Sequence, residues 1–171
     1  FEAEIVPMQG EPGFDESGMD EVRFLMSANA GETPGRISKI ASGGELARIM
    51  LVMKDVLSER DGVPAMVFDE IDEGVSGIAA QRVAEKLARL ARKKQVICVT
   101  HLPQIAAMAD THFRIAKTER DGRTYTQVTP LDREGRIREL ARLHGGDNVT
   151  ETTLASAAEQ LDAASNYKGG L

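Results

Sequence analysis

The sequence predicts an α/β protein: a mostly parallel sheet with flanking helices, plus β-hairpins. Three observations carry this. The runs "AMVFD" (65–69) and "QVICVT" (95–100) are apolar throughout, as in strands buried on both faces. Stretches of helical period precede, separate and follow them. Alternating segments joined by Gly-rich turns sit on either side of this core.

The elements follow in order. Residues 2–8, "EAEIVPM", and 21–28, "EVRFLMSA", read as strands joined by the polar loop "QGEPGFDESGMD", a long hairpin. A second loop, "NAGETPGRISKIA", leads to a helix over 43–60, where Leu46, Ile49, Met50, Met53, Val56 and Leu57 recur at spacings of three and four. After the strand at 65–69 comes a helix over 77–94. It carries Ile78, Val83, Leu87 and Leu90 on one face, and its basic end "ARKK" suits the helix dipole. The strand at 95–100 leads into a short helix over about 102–109. "THFRIAKTE" and "RTYTQVTPL" form a hairpin around Asp121-Gly122, a strong turn dipeptide. Helices over 133–144 and about 150–164 close the chain, and the tail "SNYKGGL" reads as frayed.

The length of 171 residues suits one domain with a sizeable core. A net charge of -6 gives no global nucleic-acid footprint, so any DNA contact has to be local. The single cysteine, Cys98, cannot form an internal disulfide; it reads as a small buried hydrophobe in a reducing compartment. No apolar run approaches the length of a membrane span. The abrupt start at Phe1 in strand-like residues leads us to expect a piece cut from a longer chain.

In open parallel sheets, ligands bind beyond the carboxyl ends of the strands. Three stretches belong to that edge. "SGGE" fits a capping box, with Ser42 at the N-cap and Glu45 three residues on, while Gly43 and Gly44 strip the first turn of side chains. Bare N–H groups at a helix start attract phosphate, although a plain helix start reads equally from four residues. "AMVFDEIDEG" delivers Asp69 and Glu70 to the edge. Mg²⁺ takes one or two carboxylates together with phosphates and water, and Glu70 is placed to deprotonate a water. The bland alternative is a solvated acidic loop, since Asp72 and Glu73 follow at once. His101 ends the neighbouring strand, where it can bond a terminal phosphate or serve only the structure. No second His or Cys stands at zinc-ligand spacing. The chain has no Gly-Lys dipeptide, so it lacks the lysine of a P-loop.

Taken in this order, the features resemble an ABC-type ATPase head. "ASGGELAR" (41–48) is similar to the signature motif, "MVFDE" (66–70) to the Walker B strand, and "THLPQIAAMADTHFRIAK" (100–117) to the switch-histidine region. The phrases "FLMSANAGE", "KIASGGELAR", "FDEIDEGVSG" and "QVICVTHLPQIAAMADTHFRIAK" are closer still to one branch, the RecN family of SMC-like DNA-repair ATPases. The likeness runs from about residue 21 to 161.

The resemblance implies the C-terminal lobe of a head whose P-loop lies in an N-terminal segment, the two being joined by a long coiled coil. Residues 1–40 would then lead from the coiled coil. Residues 41–118 would hold the signature, Walker B and switch core, and 119–171 the last hairpin strand and helices. It implies ATP and Mg²⁺ as cofactors, a second head as partner, and DNA as a partner of the full-length protein. It also implies a cytoplasmic, nucleoid-associated place in a bacterium. Ser42, Gly43, Gly44 and Glu45 would face ATP held by the opposite head. Asp69 would hold Mg²⁺ through water, Glu70 would act as general base, and His101 would sense the terminal phosphate. The segment alone would be inactive.

Ala47 stands where this branch commonly has Ser. Ser76 stands where many heads have an aspartate, which leaves Asp72 or Ser76 to couple the two sites. Arg133, Arg136, Arg138 and Arg142 offer DNA contacts, against a solvated face paired with Glu134 and Glu139. A transporter's nucleotide-binding domain and a non-catalytic phosphate- or partner-binding module stand as alternatives.

Overall fold

The computed structural model describes residues 1–27, 31–37, 42–57, 60 and 62–171. Parts of three stretches singled out above fall outside them: 28–30, 38–41 including Ala41 of the signature, and 58–59 at the end of the first predicted helix.

Strands β1 (Glu2–Pro7) and β2 (Asp20–Met26) form the expected hairpin, in a register that sets Glu2 against Leu25 and Pro7 against Asp20. Phe1 stacks on Phe24 at 5.5 Å between ring centroids. A two-residue strand, β3 (Gly35–Arg36), pairs with the other edge of β2; the sequence reading had made it loop.

The centre of the chain is helix α1 (Gly43–Leu57), strand β4 (Ala65–Phe68), helix α2 (Gly77–Ala91), strand β5 (Gln95–Cys98) and the short helix α3 (Pro103–Met108). Strands β4 and β5 pair in parallel, with Ala65 opposite Gln95 and Phe68 opposite Cys98. A hairpin of β6 (Phe113–Arg120) and β7 (Arg123–Pro130) follows. Its turn is Asp121-Gly122, both with positive φ, as a two-residue hairpin loop demands. Helices α4 (Arg133–Gly145) and α5 (Glu151–Gly169) complete the fold. Asp132 caps α4 by accepting the Gly135 N–H at 2.8 Å, and Thr150 with Thr153 forms a capping box on α5.

One apolar cluster joins Leu51 of α1, Met66 and Phe68 of β4, Leu87 and Leu90 of α2, Ile105 and Met108 of α3, Leu140 of α4 and Leu161 of α5. Two expectations are corrected here, and the stripe of α1 turns out to face outward. The parallel pair was expected to be covered on both faces. Residues alternate across a strand, and here Met66 and Phe68 are buried while Val67 is 69% and Ile97 50% exposed, so this chain covers one face. A periodic apolar stripe on a helix ordinarily packs inward. Leu46, Met50, Met53, Val56 and Leu57 are instead exposed, because α1 meets the core through Gly44 and Leu51. The tail is helical to Gly169 rather than frayed. Tyr167 packs on the core and accepts from Arg89 Nε at 3.1 Å, and Lys168 Nζ reaches Asp110 at 2.7 Å and the Ala109 carbonyl at 3.2 Å.

Lys168 shares its work on α3 with Arg136, whose Nη2 donates to the carbonyls of Ala107 and Ala109 at 3.1 and 2.7 Å. Cations at the C-terminal carbonyls of a short helix satisfy its open acceptors and its dipole. Among the described residues, no helix is long and apolar enough to cross a membrane.

His112, between α3 and β6, has its Nδ1 buried without a partner. Burial pushes its pKa below the usual 6.5, Arg136 adds to this, and Glu139 opposes it. The native state therefore binds fewer protons than the unfolded chain just below pH 6.5. The resulting stability is complete above that pH and is lost as the pH falls toward the native pKa. Urea melts at about pH 7 and about pH 5 should show a smaller drop in midpoint for His112→Gln than for the unaltered chain.

Candidate functional site

Parallel pairing fixes where the site lies. The Val99 N–H donates to the Phe68 carbonyl at 2.9 Å, so the ladder continues past both strands, which end at one edge. Asp69 and Glu70 leave β4 there, and Thr100 and His101 leave β5 beside them. The start of α1 meets the same edge. A Cβ added to Gly43 would stand 3.3 Å from Glu70 Oε2, and one added to Gly44 would stand 2.9 Å from both Cβ and O of Glu73. Residues 42–45, 69–73 and 100–101 are thus brought together.

The expected capping box forms at α1. The Ser42 N–H donates to Glu45 Oε2 at 2.9 Å, and the Glu45 N–H donates to Ser42 Oγ at 3.3 Å. One of its two glycines has a reason within the chain that sequence reasoning missed: the acidic turn passes too close for a side chain at Gly44. Arg48, one helical turn on, was also missed as a functional side chain. Its Nη1 donates to the carbonyls of Ile71 and Glu73 at 3.2 and 2.7 Å, clamping the turn to α1. The available signal was its i,i+4 spacing from Gly44, which puts both on one face.

The turn itself divides its carboxylates. Asp69, Glu70 and Glu73 are exposed. Asp69 Oδ1 accepts the Glu70 N–H at 3.0 Å. Glu70 has φ 58, a left-handed conformation costly for a residue with a side chain and frequent at functional sites. Asp72 is only 4% exposed, so the solvated-loop reading fails for it. Its Oδ2 accepts from Thr100 Oγ1 at 2.6 Å and from the His101 N–H at 2.8 Å, and lies 3.0 Å from His101 Nδ1. Burial pushes the Asp72 carboxyl up, but the bonds from Thr100 and the His101 backbone outweigh it and hold the group below the usual carboxylate range. Ser76 is exposed and caps α2 without a side-chain bond.

No cluster of three or more metal-ligating side chains occurs among the described residues. An Mg²⁺ ion that draws most of its ligands from phosphates and water needs only a carboxylate such as Asp69, and the exposed pair Asp69–Glu70 fits that donor set. Cys98 is partly buried, and burial, helped by Asp72 and Asp69, pushes its thiol up to about 12. It is a packing residue, as its apolar surroundings in the sequence indicated.

The arginines weighed as DNA contacts are engaged elsewhere. Arg133 pairs with Asp162, Arg138 with Glu134, and Arg142 with the buried Glu139, while Arg136 holds the end of α3.

No family model matches the chain. It is 47% identical over 162 residues to the DNA repair protein RecN of Bacillus subtilis, covering 94% of this chain and 28% of that protein. The RecN of Treponema pallidum is 47% identical over 153 residues, covering 90% of this chain and 27% of that protein. Over nearly all of its length this segment is similar to RecN proteins. It spans somewhat over a quarter of the length of these relatives. In structure it is similar to an Smc head domain with a coiled coil and joint derived from Pyrococcus yayanosii. That match has a TM-score of 0.56 and 28% identity, over 83% of this chain and 26% of that one. A structure concerning ATP-driven dimerization and DNA-stimulated activation of SMC ATPases matches with a TM-score of 0.50 and 25% identity, over 85% of this chain and 83% of that one. The α/β lobe expected from the sequence is therefore that of an SMC-type ATPase head.

Gly44→Ala should force α1 away from the Asp69–Glu73 turn and cost about 1–3 kcal/mol, as overpacking does. Gly62→Ala, where an added Cβ meets no atom of the described residues within 4 Å, is the control; chemical denaturation of both variants checks this.

Proposed function

We propose that this RecN-like segment works as the C-terminal lobe of an SMC-like ATPase head in bacterial DNA double-strand-break repair and recombination. In this reading residues 41–118 form the catalytic core, flanked by 1–40 and 119–171. The observation that carries it is the meeting of 42–45, 69–73 and 100–101 at one sheet edge. Asp69 would hold Mg²⁺ through water and Glu70 would take a proton from the attacking water. His101 would contact the terminal phosphate. Bound ATP supplies the phosphoryl group that water accepts. The capped start of α1, from Ser42 to Glu45, would face nucleotide held by a second head.

The segment offers no P-loop lysine, so an N-terminal P-loop segment of the same protein would complete the head. Its strands would cover Val67 and Ile97. Asp72 is engaged inside its own lobe, which leaves the exposed Ser76 as the residue to couple the two sites. DNA contact belongs to the full-length protein, whose place is the bacterial cytoplasm on the nucleoid. A transporter's nucleotide-binding domain is not favoured, since these relatives are named DNA repair proteins.

In the full-length protein, Glu70→Gln should lower ATP turnover by about 100-fold or more and accumulate ATP-bound head dimers in gel filtration. Unchanged turnover would remove Glu70 as the base. The segment alone should neither hydrolyse ATP nor bind Mg-ATP in isothermal titration until the P-loop segment is added; binding by the segment alone would favour a non-catalytic phosphate-binding module.

A further inference from the structure

The ring of His101 is 73% exposed at its side chain, yet its Nδ1 faces a buried carboxylate. An exposed imidazole is ordinarily at liberty to rotate about two torsions. Here Nδ1 sits 3.0 Å from Oδ2 of Asp72, a carboxylate with almost no access to water. The same oxygen takes the Thr100 hydroxyl at 2.6 Å and the His101 N–H at 2.8 Å, and Thr100 Oγ1 in turn accepts the Leu102 N–H at 3.0 Å. Asp72 is thus fixed by donors on the chain leaving β5. Two of these contacts satisfy a buried carboxylate at the strand end. The third, to the ring, steers a side chain that otherwise faces solvent.

An ionised carboxylate only accepts hydrogen bonds, so the nitrogen facing it carries the proton. Nδ1 is then the N–H, and Nε2 is presented on the far side of the ring with its lone pair outward. The helix that follows is itself anchored: α3 is buried through Ile105, Ala106, Ala107 and Met108, and its last carbonyls are held by Arg136 and Lys168. The backbone of His101 therefore has little room to compensate if the ring contact is lost.

We propose that Asp72 is the positioning residue of His101, holding the ring through Nδ1–H so that Nε2 faces the reacting phosphate and water at the sheet edge. This rests on the ATPase reading above. Asp72 touches neither nucleotide nor water in this account and acts through His101, as outer carboxylates do on histidines whose tautomer they set.

The test uses the full-length protein with histidine labelled in ¹⁵N. Long-range ¹H–¹⁵N spectra, with His101 assigned from the His101→Ala variant, should show the Nδ1–H tautomer. Asp72→Asn should shift the ring toward a mixture with Nε2–H and lower kcat by about tenfold, with KM for ATP changed less than about twofold. The double variant Asp72→Asn/His101→Ala should be no slower than His101→Ala, since both remove one unit. Thr100→Val, which deletes a bond to the same oxygen and leaves the ring contact, should keep the Nδ1–H tautomer. It thereby separates loss of positioning from loss of fold. ATP turnover with an Nε2–H ring in the unaltered protein, or wild-type kcat in Asp72→Asn, would overturn this proposal alone. No ATP turnover in the unaltered protein would remove the ATPase reading and this proposal with it.

Discussion

The structure depends on the parallel pairing of β4 with β5. A parallel pair needs a crossover long enough to return to the starting edge, and α2 supplies it. In exchange, both strands release their chains at one edge. The register that sets Phe68 beside Cys98 also sets Asp69 beside Val99, which places the acidic turn against Thr100 and His101. A slip of one residue would turn Met66 and Phe68 out of the core and Val67 into it. The apolar cluster and the polar edge are therefore specified by the same ladder: the core selects the register, and the register assembles the site.

The turn that follows β4 is held from both sides by polar groups that do not face the open edge. Arg48 grips its carbonyls from α1, and Asp72 ties it to the end of β5. Burying a carboxylate is costly unless donors surround it, and Thr100 with the His101 backbone provides them. With those residues engaged inward, the backbone of Glu70 is kept in a conformation it would not choose alone, and Asp69 and Glu70 remain on the outside. Within five residues Ile71 and Asp72 turn inward while Asp69, Glu70 and Glu73 stay exposed.

How much of this was legible follows from the range of each interaction. Helix periods, the Asp121-Gly122 turn and the Ser42–Glu45 box are local, and the sequence displays them directly. Gathering Asp69 and His101 at one edge was legible too, because apolar strands separated by a helix imply a parallel pair. The inward turn of Asp72 was not. Four acidic residues within five positions read as a solvated loop, and the donors that overturn this come from nearly thirty positions on. Gly44 misled for a similar reason: a glycine at a helix start is explained by local flexibility or by a ligand, whereas its tightest neighbour here is Glu73. The tail was read from composition as frayed. It is ordered by Tyr167 and Lys168, whose partners lie on α2 and just past α3.

The stripe on α1 needs a different explanation, because its period is genuine and its burial is absent. Leu46, Met50, Met53 and Leu57 recur as a helix face should, yet this chain meets α1 through Gly44 and Leu51. Val67, Ile97 and Val99 repeat the pattern on the strands, alternating with neighbours that are buried or partly so. Apolar patterning that is regular in sequence and uncovered in structure fits a surface that another segment closes, since scattered surface apolar residues need not keep a period. Under the proposed function one segment meets two needs at once. The strands that would cover Val67 and Ile97 belong to the part of the head that carries the P-loop, and with it the lysine that this chain does not have.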